Sequence, residues 1–193
     1  MNKKPIYIIE HLEPELFEWC LIEYENISKI VGKENLWFTN VGNKKKSDRK
    51  KLEKFGKVFS KSVKEMNLEN ACILDPESKK ILKPKDNFDY YIFGGILGDY
   101  PPRKRTKNQL TKFLKAETRN ISKEQMSTDN AVYTVKQIVE KGKNFNELNF
   151  VDNISVKLNE FESVELPYRY NLIKGKPLVS KKIKTYLRKK KGF

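Results

Sequence analysis

The residues of this chain best suited to chemistry gather in three loops. The middle loop reads FGGILGDYPPRKRT from Phe93, with three glycines within five residues, two prolines after them, and Asp99 and Arg103 alongside. Glycine lets backbone approach a ligand closely, and proline stiffens the exit. Such a loop offers N–H and C=O groups to a small polar ligand. It lacks the dinucleotide G-x-G-x-x-G pattern and the phosphate-loop Gly-Lys-Ser/Thr, which disfavours hydride transfer and nucleotide hydrolysis. The other two loops are Asp75-Pro76 and Ser122 to Asp129. One histidine, His11, and two cysteines, Cys20 and Cys72, fall short of the four ligands a structural zinc site draws. No G-x-S-x-G elbow is present, which disfavours a Ser-His-Asp hydrolase. Both cysteines lie in apolar runs and read as reduced and buried.

These loops need elements to position them. Pro5 to His11 reads as a buried strand, and Glu10-His11 closes it. A helix opens at Glu13-Pro14 and carries the stripe Leu16, Cys20, Tyr24, Ile27, Val31, with Gly32 as its cap. Asn35 to Asn40 is a second strand. The lysine-dense stretch Lys44 to Lys64 has Leu52, Phe55, Val58, Phe59 and Val63 at helical spacing and reads as one amphipathic helix. Strands follow at Ala71 to Leu74 and Phe88 to Phe93, a helix at Asn108 to Lys115 and a short strand near Thr118 to Ile121. Thr128 or Asp129 caps a helix with Ala131, Val132, Val135, Ile138 and Val139 on its apolar side. Leu148 to Val151 and Pro167 to Leu172 read as extended. Alternating strands and helices favour a parallel α/β sheet, whose ligand crevice lies at the carboxyl ends of the strands.

A length of 193 residues suits one domain, expected over 1–180, with a basic tail at 181–193. No stretch approaches the roughly 20 apolar residues of a membrane span, and the N-terminus has no signal-peptide pattern. Lys plus Arg is 40 against 25 for Asp plus Glu, a net charge of +15. That excess favours polyanionic surroundings such as RNA or a ribosome, although a solvated lysine-rich surface explains it equally.

The run FGGILGD-x-PPR-x-RT (Phe93 to Thr106), QMSTDNA (Gln125 to Ala131), LPYRY (Leu166 to Tyr170), the opening IIEH (Ile8 to His11), Glu18-Trp19 and Glu23-Tyr24 together resemble one branch of the SPOUT methyltransferases. That branch includes arginine methyltransferases of a ribosomal protein and archaeal members described as RNA methyltransferases. The similarity covers about residues 6 to 172. It implies a three-layer α/β fold with a C-terminal trefoil knot that binds S-adenosylmethionine in a bent pose. Leu74, Asp75 and Pro76 would form one wall of the cofactor site. Gly94, Gly95, Ile96, Leu97, Gly98 and Asp99 would form the second, and Gln125, Met126, Ser127, Thr128 and Asp129 the knot loop.

The activity so implied is methylation of an arginine on a ribosomal protein, in the cytoplasm, by a monomer that needs no metal. An RNA methyltransferase of the same fold, or a non-catalytic RNA-binding protein, is the alternative. An arginine nucleophile arrives protonated, so carboxylates must orient it and stabilise charge as a proton departs. Asp99, Glu10 and Asp129 are the candidates, with Glu18 and Glu23 beside them. Asp99 equally suits a turn, Asp129 a helix cap, and Glu10 a hydrogen bond at the sheet edge. Arg103, Arg105, Glu18 and Arg169 are the expected substrate contacts, the arginines being equally explained as solvated or packed residues.

Overall fold

The computed structural model describes residues 4–98, 101 and 103–190. The first strand forms as β1 (Ile6–His11), and Tyr7, Ile8 and Ile9 are buried on both faces, as suits a central parallel strand. The helix after it, α1 (Glu18–Val31), starts later than Glu13-Pro14. Glu13 is engaged elsewhere: its Oε1 accepts from the Leu97 amide and from Arg105 Nη1, each at 2.8 Å, so residues 12–17 run as an irregular tether to the glycine loop. The helix ends as expected at Gly32, whose φ of +87° favours glycine and whose N–H reaches Ser28 O.

After β2 (Leu36–Thr39), the lysine-dense stretch is not one helix. It divides into α2 (Lys46–Glu53), β3 (Lys57–Val58) and a short turn at Val63–Glu65. Gly56 breaks it, because a Cβ there would collide with the Leu36 carbonyl where the chain comes alongside β2. Phe55, Val58, Phe59 and Val63 therefore serve strand and turn, although their spacing suits a helix.

Next come β4 (Ala71–Leu74), β5 (Tyr90–Gly95), α3 (Arg105–Gln109), β6 (Glu117–Arg119) and α4 (Thr128–Val139). Strand β5 runs on through Gly94 and Gly95, which sit opposite Glu10 and His11. The helix expected at Asn108 to Lys115 begins earlier, at Arg105, and gives way to a 3-10 turn at Thr111–Phe113. The cap position of α4 is Ser127, without a side-chain capping bond; Thr128 and Asp129 lie in the first turn. All six strands are parallel, in the order β3-β2-β1-β5-β4-β6.

Alternate strand residues feed opposite cores. Tyr7, Ile9, Phe38, Tyr91 and Phe93 face α1 and α4, while Ile8, Ile73 and Ile92 meet Val63 and Leu110 on the other face. The C-terminal part departs from the alternating pattern. Strands β7 (Phe150–Lys157), β8 (Ser163–Ile173) and β9 (Lys176–Pro177) form an antiparallel sheet. The segment expected as a basic tail continues into a helix, α5 (Lys181–Lys190). Its Ile183 and Leu187 join Ile154, Leu166, Tyr170 and Ile22 of α1 in a core of their own. Among the described residues no helix is long and apolar enough to cross a membrane.

Candidate active site

The three loops meet. At the carboxyl ends of β4 and β5, a cavity of about 310 Å³ is walled by Leu74, Asp75 and Pro76, then by Gly94, Ile96, Leu97 and Gly98. Gln125, Met126 and Thr128 close it from the loop before α4. Asp75 is held by Thr111 Oγ1 at 2.7 Å and the Glu77 amide at 2.9 Å, which fixes the first wall. Glu13 fixes the second through the Leu97 amide. The third is fixed by β8, where the Arg169 amide reaches Gln125 O at 2.8 Å. Gly98 is the tightest point. A Cβ there would press on Gln125 and the Tyr168 ring, while the Tyr168 hydroxyl donates to Gly98 O at 3.1 Å.

Several expected residues stand apart from this hollow. Gly95 does not line it; a Cβ there would meet the Tyr24 hydroxyl and Ile9 within the sheet. Ser127 does not line it either and bonds Asp129 at 2.7 Å. Glu18 is exposed at the start of α1, off the cavity wall. Arg169 is a strut: Nε and Nη2 each reach Asp152 at 2.7 Å and Nη1 reaches Ser122 Oγ at 3.0 Å. Arg105 lines the cavity but is paired with Glu13. Arg103 lies on the rim beside Lys104, Lys107 and Lys123. Asp99 lies outside the described residues.

Glu10 is buried on the far side of β1, where its carboxylate accepts from Ser62 Oγ and Thr39 Oγ1, both at 2.5 Å, and from the Val63 amide at 3.1 Å. His11 is likewise structural. Its ring nitrogens meet the Tyr24 hydroxyl at 2.9 Å and Glu15 O at 3.1 Å, and burial pushes its pKa down to about 4. A neutral ring donating Nε2–H to the carbonyl and accepting at Nδ1 satisfies both contacts. The two thiols are free and buried, and burial pushes each up to about 12. They are inert at neutral pH.

Asp129 is different. It sits buried in the first turn of α4 and accepts from Ser127 Oγ and Asn26 Nδ2 at 2.7 Å and from the Asn130 amide at 2.9 Å. Facing it from α1 is Glu23, also buried, which accepts from Trp19 Nε1 at 2.7 Å and from the hydroxyl and amide of Thr128. Burial and the charge of Asp129 push Glu23 up to about 8, and burial raises Asp129 as well. Asp129 has the fuller set of donors, which favours its charged form over that of Glu23. Thr128 joins the pair to the cavity, since it lines the hollow and bonds Glu23. Tyr170 also borders the pair, its hydroxyl pushed up by burial and then by both acids.

The signal for Glu23 was in the helical stripe: with Cys20, Tyr24 and Ile27 it occupies the buried face of α1. An acid at such a position requires either donors or a function. Glu13 and Tyr168 carried no comparable signal, because each acts across a distance in sequence, on Leu97 and Gly98 respectively.

The cavity suits S-adenosylmethionine. It has the volume of a small-molecule site, backbone groups at a glycine that admits no side chain, and a cationic rim for a carboxylate.

Comparison with known proteins agrees. The family model for protein arginine N-methyltransferase SFM1-like proteins matches residues 6–192. The protein arginine N-methyltransferase SFM1 of Saccharomyces cerevisiae is 36% identical over 190 residues, covering 90% of this chain and 89% of its own. The crystal structure of the yeast enzyme complexed with SAM superposes with a TM-score of 0.88 at 35% identity, over 98% of this chain and 92% of that one. A dual-specific Trm10 of Thermococcus kodakaraensis, 18% identical, shares the fold with a TM-score of 0.56 over 75% of this chain and 96% of that one. The SPOUT resemblance read from the glycine loop and its companion motifs is thereby borne out, and the chain belongs to the SFM1-like family of protein arginine N-methyltransferases.

Proposed function

We propose that this protein transfers the methyl group of S-adenosylmethionine to an arginine of a ribosomal protein, acting as a monomer in the cytoplasm. The observation that carries the arginine nucleophile in this reading is the buried Glu23–Asp129 pair, which stands behind the cavity wall and is joined to it through Thr128. When bound, the cofactor's sulfonium supplies an electrophilic methyl group. The chain's own residues must then deliver a guanidinium and take its proton. Two carboxylates fit a cationic planar fork. In the free protein Glu23 keeps its proton, because ionising both acids in one buried place is costly. An arriving guanidinium supplies the missing positive charge, so Glu23 ionises and Asp129 stays charged. On transfer the nitrogen would bond to the methyl group as the methyl–sulfur bond broke, leaving a neutral thioether, and would give a proton to Glu23, so that the methylated guanidinium keeps a single positive charge. Trp19, Thr128, Ser127, Asn26 and Asn130 hold the acids in place. Positioning of this kind supplies several kcal/mol, on the order of 7–11 where reactants are well aligned. The trefoil threading implied by the family is part of the same reading; the pairing of β6 with β4, on the edge away from β5, so that the chain leaving β5 passes over β4 to reach it, supports it.

The test is transfer of radiolabelled methyl from S-adenosylmethionine to ribosomal subunits, followed by separate protease and ribonuclease treatment. Label released by protease and recovered as methylarginine is expected; label released by ribonuclease overturns the protein target. Glu23→Gln should lower kcat by roughly 10²–10⁴-fold while calorimetry shows unchanged cofactor binding. Unchanged turnover removes the acid pair from the mechanism.

A further inference from the structure

From α5 we infer a second binding surface, for the phosphate backbone of RNA. Six of its ten residues are cationic: Lys181, Lys182, Lys184, Arg188, Lys189 and Lys190. The helix is pinned by its apolar side, where Ile183 and Leu187 are buried and Tyr186 meets Trp19 edge-on at 5.9 Å. With that side fixed, all six cations are exposed. The tertiary structure thus turns a basic sequence into a rigid cationic face.

In its first half this charge arrangement works against the helix, whereas Arg188, Lys189 and Lys190 occupy the last turn, where cations suit the backbone dipole. Lys181 and Lys182 occupy the first turn, which has no acid and where the backbone dipole is already positive. Lys184 and Arg188 are like charges at i,i+4, and Lys181 and Lys184 at i,i+3; both spacings destabilise a helix. Among the described residues one of the six, Lys182, has an acidic partner, Glu25 at 2.5 Å. Arg188 reaches only the Lys157 carbonyl, at 3.3 Å. Helix stability therefore does not account for Lys181, Lys182 and Lys184, whereas a polyanion would relieve the repulsion among all six and release its own counterions. The chain's net charge of +15 strengthens the same attraction at longer range.

Phosphate is the group such a face recognises. Its side chains carry cations and one packed tyrosine, and lack the Asn, Gln or exposed aromatic groups that read or stack bases. None of its residues lines the cavity, so the surface is separate from the methyl-transfer site and the inference stands without that activity.

Fluorescence anisotropy of a labelled RNA hairpin over a salt series tests it. The protein should bind, with log Kd rising linearly with log salt. The triple variant Lys181→Glu, Lys184→Glu, Lys189→Glu should weaken binding at fixed salt by about tenfold or more and reduce the slope by roughly two to three. A control with the same charge change on α2 and the residue that precedes it, Lys45→Glu, Lys46→Glu, Lys50→Glu, should change Kd by less than about threefold, since net charge alone acts weakly and is screened. A triple Lys→Gln variant at the α5 positions, checked by circular dichroism, covers the case in which charge reversal unfolds the helix. Failure of the hairpin to bind, equal losses in the α2 and α5 variants, or polyglutamate competing as well as RNA would overturn the proposal. Methyl transfer to an isolated protein substrate should be unchanged in the α5 variants.

Discussion

Glu10 and Glu23 are both carboxylates sunk in the interior, one at the end of β1 and the other on α1. Glu10 has two hydroxyls and an amide aimed at it and braces β1 to β2 and the Val63 turn. Glu23 also has donors, but its neighbour is another acid, and the two cannot both ionise cheaply where water is excluded. Burial alone thus does not mark a reactive acid. What separates the two sites is whether a missing positive charge would complete the surroundings. Around Glu10 nothing is missing; around Glu23 and Asp129 a cation is, and the proposed substrate guanidinium would supply it.

Two predictions can break that contrast and a third tests the cavity wall beside it, from the largest expected effect to the smallest. The first is pH. Glu23 must be ionised to receive a guanidinium, so kcat/KM should rise by up to about tenfold per pH unit below about 8 and level off above it. The stability sign is opposite. Because folding raises this pKa above the usual carboxylate value, the folded state binds the extra proton, and stability should fall as pH rises from the ordinary Glu range toward 8. A rate profile that is flat through this range, or one that survives Glu23→Gln, would remove the acid from the reaction. The second is Glu10→Gln. It places an amide N–H₂ against donors and should cost about 1–3 kcal/mol in denaturant unfolding, with turnover per folded molecule unchanged. Lost turnover in a fully folded Glu10 variant would erase the distinction. The third is Tyr168→Phe, which removes the hydroxyl bond to Gly98 O and leaves the ring. Cofactor affinity should drop about two- to tenfold by calorimetry, as one hydrogen bond allows.

The same contrast explains what could be read in the residues. The cavity walls were legible because each lies in one continuous loop: Leu74 to Pro76, Gly94 to Gly98 and Gln125 to Thr128 all converge as their strand ends require. Arg169 was misleading for the opposite reason. Between two tyrosines it reads as a substrate contact, yet its partners, Asp152 and Ser122, come from β7 and from the loop before α4. The lysine-dense stretch misled in another way. Helical spacing of Phe55, Val58, Phe59 and Val63 is a local property, and Gly56 overrides it only because the β2 backbone lies against that glycine.

By itself the sequence determined the parallel α/β scaffold, the glycine-walled cavity, the family and the excess of positive charge. These follow from local patterns: apolar runs that must be buried, glycines at a strand end, and counts of charged residues. The tertiary structure alone decided that Glu23 faces Asp129, that Glu13 ties the β1 exit to the glycine loop, and that the basic C-terminal residues stand on a pinned helix. Each of those depends on which side chain meets which across many residues of chain. Periodicity says which face of an element is apolar, but only packing decides what that face meets.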